Sequence, residues 1–89
     1  MSNEEETLFE FPCQFSVKAM GLAAPDFDAL VLSIVRQQVP SIGEGAVRTR
    51  PSKGGKYLSV TVTFEADSKT QLDAIYQALT DNERILMSL

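Results

Sequence analysis

The sequence contains no histidine, no tryptophan and a single cysteine among its 89 residues. Without histidine, the commonest general base near neutral pH is missing, and neither a Ser-His-Asp nor a Cys-His arrangement can form. One cysteine leaves no internal disulfide, and with no histidine it supplies no ligand set for a zinc site. We therefore expect a protein with no catalytic residues, no metal site and no cofactor.

Positive charge is absent from the first ten residues, which hold four glutamates and no lysine or arginine. The remaining residues 11–89 carry eight acids and eight bases, so the net charge of −4 comes from the N-terminal end. This distribution predicts a flexible acidic tail over residues 1–9 and a single domain over residues 10–89. No apolar run approaches the roughly 18 residues of a membrane span, and the polar start does not resemble a signal peptide. We expect a cytoplasmic protein with no membrane partner.

Hydrophobic periodicity predicts six elements in the order β-α-β-β-α-β. Strands are indicated by alternation, helices by an apolar stripe of helical spacing, and the boundaries by glycine, proline and capping residues. The predicted bounds are strands over residues 13–21, 46–50, 56–66 and 84–89, and helices over residues 25–39 and 68–82. In the last strand, alternation predicts that Ile85, Met87 and Leu89 face the core, whereas Leu86 faces outward.

This order of elements is that of the ferredoxin-like split βαβ fold. Right-handed crossovers put both helices on one face of an antiparallel sheet, whose strand order is then 4-1-3-2. Each strand offers one apolar face and each helix one stripe, so two layers are enough to enclose the core. The predicted fold class is therefore α+β, a βαββαβ two-layer sandwich.

Three stretches of sequence together resemble a known family. They read FEFP followed by FSVKAMG at residues 9–21, PSKG followed by YLSVTV at residues 51–62, and LDAIYQAL at residues 72–79. The resemblance, over residues 7–89, is to the YbeD-like family of small bacterial proteins of unknown function. A lipoic-acid-binding regulatory label is sometimes attached to that family. The resemblance implies a ferredoxin-like fold similar to ACT regulatory domains, which bind small effectors and often pair side by side, and it implies no catalytic residues.

The comparison with ACT domains directs attention to the turn after the first strand, at Gly21, Leu22 and Ala23. In ACT-like domains the effector is held near this turn. Gly21 permits close backbone approach, and the start of the following helix offers free amides to a carboxylate. Asp26 and Asp28 would repel an anion at this point, and Gly21 could instead serve only to turn the chain. Both interpretations stay open at the level of sequence.

The open face of the sheet is the second candidate site, because alternation makes it locally basic. The candidate residues are Lys18, Arg48, Arg50, Lys53, Lys56 and Tyr57. Such a surface could receive an anionic partner. Sheets of this topology that bind RNA stack bases on two or three exposed aromatics, whereas only Tyr57 is available here, so we do not expect nucleic acid as the partner. An ordinary solvated face and a protein contact are the other interpretations.

These observations predict a non-enzymatic regulatory or interaction module. Its ligand would be a small carboxylate effector, with lipoate suggested by the family label only, or an unknown protein partner. The alternative is a nucleic-acid-binding module that uses the basic sheet face. A homodimer through the last strand or the sheet face is a further hypothesis, because the edge strand at residues 85–89 carries little that would prevent pairing.

Overall fold

The computed structural model of the chain describes residues 10–89, so the acidic tail predicted for residues 1–9 lies outside the described residues. The elements follow the predicted order. They are β1 Cys13–Leu22, α1 Phe27–Arg36, a short 3-10 helix Glu44–Ala46, β2 Val47–Pro51, β3 Tyr57–Ala66, α2 Lys69–Asp81 and β4 Met87–Ser88. The four strands form one antiparallel sheet of order β2-β3-β1-β4, which is the predicted order read from its other edge.

The core lies between one face of the sheet and both helices. Alternate residues of β1 and β3 are buried, and the apolar stripes of α1 and α2 pack against them. The fully buried side chains of the described residues include Val17, Val60 and Val62 from the sheet and Phe27, Val31, Val35, Ile75 and Leu79 from the helices. Because both helices cover the same face, the side chains of the opposite face are exposed or half-buried. The predicted ferredoxin-like, two-layer α+β fold is confirmed.

Helix α1 is shorter than predicted at both ends. It begins at Phe27, with Asp26 at the N-cap position but making no capping hydrogen bond through its side chain. It ends at Arg36, and the following residues form a turn instead of a further helical turn. The Arg36 Nε donates to the carbonyl of Ile42 at 2.9 Å, which holds the connection to β2 against the helix end.

Helix α2 begins with the predicted cap. The backbone N–H of Gln71 donates to the Ser68 hydroxyl at 3.1 Å. The Gln71 side-chain oxygen accepts from the N–H of Asp67 at 2.8 Å, one residue earlier than in a standard capping box. The Gln71 side-chain amide also donates to the carbonyl of Gln38, at 3.1 Å, and so links the start of α2 to the turn that follows α1.

Strand β4 differs from its prediction in both length and register. It spans only Met87–Ser88, and Met87 lies opposite Met20 of β1. Leu89 exchanges two backbone hydrogen bonds with Lys18, at 2.8 and 3.0 Å. Met20 and Lys18 point away from the helices, so the predicted core position of Met87 and Leu89 is wrong: they are 53% and 67% exposed. Ile85 does pack on the core, but it belongs to the connection before the strand. The alternation of buried and exposed side chains therefore does not continue from Ile85 into β4.

Candidate functional site

The cross-strand register defines the open face, by which we mean the sheet surface turned away from α1 and α2. From β2 to β4, one row reads Arg48, Thr61, Lys18 and Leu89, and the next row reads Arg50, Ser59, Met20 and Met87. Neighbouring side chains within a row are about 5 Å apart, and the rows follow each other at about 7 Å along the strands. The structure therefore brings Lys18, Arg48 and Arg50 into two adjacent rows, as the alternation predicts.

These three cations are not neutralised locally. Within residues 10–89, the ion pairs are Lys69–Asp73 and Arg84–Asp26, and neither includes a residue of the open face. The carboxylate that the described strands place on this face is Glu65, opposite Gln14. It lies two rows beyond Lys18, about 13 Å along the sheet. The centre of the open face therefore keeps a positive potential although the chain as a whole is acidic.

A shallow depression of about 230 Å³ lies at the hairpin end of the open face. Its lining consists of Lys18, Met20, Arg50, Pro51, Ser52, Tyr57 and Ser59. Three of the six predicted sheet-face residues, Lys18, Arg50 and Tyr57, thus share one concave surface. A lining that combines two cations with thioether and aromatic groups suits a ligand that has an anionic head and an apolar body.

The hairpin turn between β2 and β3 holds two further predicted residues, Lys53 and Lys56. The Ser52 N–H donates to the carbonyl of Tyr57 at 2.8 Å, and the Tyr57 N–H donates back to the Ser52 hydroxyl at 3.0 Å. Gly55 takes a φ of +78°, which a residue with a side chain adopts at a cost. The Lys56 ammonium lies 5.5 Å from the centroid of the Tyr57 ring. Lys53 belongs to the same turn but does not line the depression.

The turn after β1 meets this hairpin at the same end of the sheet. Leu22 pairs with Tyr57, and the Ala23 N–H donates to the carbonyl of Lys56 at 2.9 Å. Leu22 and Ala23 are exposed, but Gly21 is buried. A Cβ placed on Gly21 would lie 2.6 Å from the Phe27 ring and would also meet the carbonyl of Arg84. The close approach that Gly21 permits is therefore occupied by the protein itself.

Arg84 is a residue of this region that sequence reasoning missed. Its guanidinium donates to both carboxylate oxygens of Asp26, at 2.9 and 3.0 Å, and its central carbon lies 5.9 Å from the centroid of the Phe27 ring. The hydrogen bond from Arg84 lowers the pKa of Asp26 below its ordinary value. The charge of Asp26 is thus partnered, so it repels an anion at the turn less than expected. The two residues are 58 positions apart, and no local pattern in the sequence signals the pair.

The Asp26–Arg84 pair predicts a small loss of folding stability at acidic pH. Because the folded-state pKa of Asp26 lies below the ordinary 3.8, its contribution is present above that value and is lost as the pH falls through the folded pKa. We expect Asp26→Asn to lower the thermal midpoint slightly at pH 7, and the difference to shrink below about pH 4. Thermal unfolding of both proteins between pH 2 and 7 measures this, and Asp73→Asn, in an exposed pair within one helix, is the control. A difference that is constant over this range would contradict the ionic origin.

The described residues define a ferredoxin-like domain with one uncovered, partly basic sheet face, and the comparisons place it in a family. The model of the family described as "Protein of unknown function (DUF493)" matches residues 6–89, so the chain belongs to that family. It is 45% identical over 89 residues to a UPF0250 protein of Paraburkholderia phytofirmans, with both chains fully covered. It is 45% identical over 85 residues to the UPF0250 protein NE1487 of Nitrosomonas europaea, covering 96% of this chain and 98% of that one.

A solved structure supports the fold. The solution structure of protein HP0495 from H. pylori matches with a TM-score of 0.72 over 91% of this chain and 85% of that chain, at 13% identity. At this identity the match bears on the fold alone. The family model and the curated relatives confirm the resemblance to a small bacterial family of unknown function. Within residues 10–89, no helix is long and apolar enough to span a membrane, and no group of three or more metal-ligating side chains is found.

Proposed function

We propose that this protein is a non-enzymatic regulatory or interaction module that acts by binding an anionic ligand on its open sheet face. The observation that carries the proposal is the set Lys18, Arg48 and Arg50, three cations in adjacent rows that form no ion pair within the described residues. Holding like charges close together without partners is unfavourable for the isolated protein. An anionic ligand would relieve this repulsion, so its binding has an electrostatic driving force.

The small-ligand form of this proposal places a carboxylate effector in the depression. The carboxylate would lie between Lys18 and Arg50, and the apolar body of the effector would contact Met20 and Tyr57. Lipoate has this chemistry, an aliphatic body ending in a carboxylate, and so does octanoate. The depression is open and shallow, so we expect weak affinity, in the high micromolar to millimolar range.

The non-enzymatic part of the proposal rests on side-chain chemistry. The sequence contains no histidine, and within residues 10–89 the pKa of Asp26 is lowered and those of Tyr76 and Arg84 are raised. Asp26 and Arg84 are displaced by each other, and Tyr76 by partial burial beside the core. None of the three lines the depression. None of them can therefore serve there as a catalytic acid or base, which would need a pKa suited to that role.

Removing the cations of the depression is expected to weaken carboxylate binding. Lys18→Gln and Arg50→Gln should each raise the dissociation constant of octanoate or lipoate roughly 2- to 5-fold, because exposed ion pairs contribute up to about 1 kcal/mol. The measurement is a titration followed by amide chemical shifts, with the largest changes at residues 18, 20, 50, 57 and 59. Lys69→Gln on α2, away from the open face, is the matched control and should leave the affinity unchanged.

Two results of this titration would redirect the proposal. Shift changes confined to residues 21–28 would move the effector to the turn after β1. The absence of any change at millimolar carboxylate would contradict the small-effector form. A charge-neutral analogue such as octanamide should bind more weakly than octanoate, since it cannot pair with either cation. Equal binding of the two compounds would show that the apolar surface alone is recognised.

A nucleic-acid ligand is the second candidate function, and it is favoured only by the unpaired cations. Among residues 10–89, Tyr57 is the aromatic side chain on the open face, and it is 37% exposed at the end of the sheet. A single aromatic supports less base stacking than RNA-recognition sheets provide. If RNA is nevertheless the ligand, a single-stranded oligonucleotide should shift in a gel at low salt, and Arg48→Ala with Arg50→Ala should abolish the shift. No shift at low salt would eliminate this candidate.

A further inference from the structure

The open face has two chemically different flanks with small side chains between them. The basic flank consists of Arg48 and Arg50 on β2. The trough consists of Ser59, Thr61 and Thr63 on β3. The apolar flank consists of Met20 on β1 and of Met87 and Leu89 at the opposite edge, with Lys18 beside them. The side chains of the trough are short, so the longer side chains of the two flanks can extend further from the sheet than those between them.

The dimensions of this surface match an α-helix lying along the strands. The basic flank on β2 and the apolar residues at the β4 edge are separated by three inter-strand spacings, about 14 Å. A helix with its side chains is about 10–12 Å across, so a helix over the two central strands reaches both flanks. Arg48 and Arg50 are next neighbours on one face of β2, so they follow each other at about 7 Å. Residues four apart on a helix rise by about 6 Å and share a face. Two acids at that spacing would meet the two arginines.

We infer that the open face is a docking site for an acidic amphipathic helix of another protein. The acidic residues of that helix, spaced i and i+4, face Arg48 and Arg50. The apolar side chains of the helix cover Met87 and Leu89. The inference rests on the proposed function, because it names the macromolecular form of the anionic ligand. It also accounts for the exposure of Met87 and Leu89, whose apolar surface is otherwise left in water at a cost.

Charge argues against a second copy of this chain as the occupant. Packing two open faces together would place Lys18, Arg48 and Arg50 of both copies in one interface, and gathering like charges there is unfavourable. Neither described helix offers the required surface either, because α1 and α2 bury their apolar stripes against the sheet. The residues that α2 turns outward are polar: Lys69, Thr70, Asp73, Gln77, Thr80 and Asp81. Neither α1 nor α2 can therefore supply the complementary helix, and the occupant that we infer belongs to a different protein.

A designed peptide tests this inference. The probe is an 18-residue helical peptide with glutamate at i, i+4 and i+8 on one side and leucine on the adjacent side, carrying a fluorescent label. We expect saturable binding by anisotropy, weakened at least 10-fold in Arg48→Glu/Arg50→Glu and in Met87→Asp. Lys69→Glu on α2 is the matched control and should bind as the wild type does. All substituted side chains are exposed, and thermal unfolding checks that each variant is folded.

Charge exchange supplies the decisive comparison. A second peptide with lysine in place of each glutamate should bind Arg48→Glu/Arg50→Glu more tightly than it binds the wild type. Absence of saturable binding by the acidic peptide, or equal binding by all variants, would overturn the inference. If the octanoate titration perturbs Lys18 and Arg50 while the peptide does not bind, the proposed anion-binding function stands and only the helix partner is wrong. If neither binds, the small-effector form of the proposed function and the helix partner are both wrong.

Discussion

Replacing Gly21 with alanine is expected to lower the free energy of unfolding by about 1–3 kcal/mol, the usual cost of adding a methyl group to a packed core. The new Cβ would lie 2.6 Å from two carbons of the Phe27 ring and would also meet the Arg84 carbonyl. A ring in a full core cannot move aside cheaply, and a backbone carbonyl cannot move without displacing the connection to β4. Urea denaturation of the two proteins measures the difference through the midpoint at unchanged slope.

Gly43→Ala provides the control, because it makes the same chemical change in open space. Gly43 has extended backbone, and a Cβ there meets nothing within 4 Å. Alanine at such a position restricts the unfolded chain, so this variant should be unchanged or more stable by up to about 1 kcal/mol. If Gly21→Ala behaved as Gly43→Ala does, the packing role of Gly21 would be wrong, and its place in an effector-binding turn would gain weight.

The topology follows from patterns that are local in the sequence. Alternation in β1 and β3 and the stripes of α1 and α2 each identify a single buried face, and short connections with right-handed crossovers then leave few arrangements. The element ends are less determined, because capping energies are small beside tertiary packing. Helix α1 shows this: Pro40 limits its extent, yet the helix ends at Arg36, whose side chain binds the carbonyl of Ile42 instead.

The register of β4 could not be obtained from its own residues. Leu86, Met87 and Leu89 are all apolar, so hydrophobicity does not distinguish the two faces of this strand. The register is set by backbone hydrogen bonds between Leu89 and Lys18, together with the burial of Ile85 before the strand begins. A phase shift of one residue reverses which side chains are inside. The register of β4 depends on pairing between segments that are distant in the sequence, so no short stretch of the chain determines it.

The candidate site likewise has one part that the sequence predicts and one part that only the structure reveals. Its basic flank was predictable, because Arg48 and Arg50 lie on a hairpin whose alternation is clear and whose partner strand is close in sequence. Its apolar flank was not, because Met87 and Leu89 reach the open face only through the register of β4. The proposal of an amphipathic partner therefore depends on the structure, whereas the proposal of an anionic partner arises from the sequence and gains its geometry from the structure.

Phe27→Ala is expected to have the largest effect on stability, a loss of about 3–5 kcal/mol. Phe27 is fully buried at the start of α1, its ring fills the space above Gly21, and the Arg84 guanidinium lies over it. For a chain of this length, a total stability of about 4–13 kcal/mol would be ordinary, so the variant loses a large fraction of it. The thermal midpoint should fall by more than about 10 °C.

Phe27→Leu and a double variant separate packing from general damage. Leucine keeps much of the apolar volume, so Phe27→Leu should lose clearly less stability than Phe27→Ala, and Leu86→Ala at a 59% exposed position should lose least. Adding Gly21→Ala to Phe27→Ala should cost less than Gly21→Ala costs alone, because the ring that obstructs the new Cβ is gone while the Arg84 carbonyl stays. Strict additivity of the two changes would show that Gly21 and Phe27 do not pack against each other.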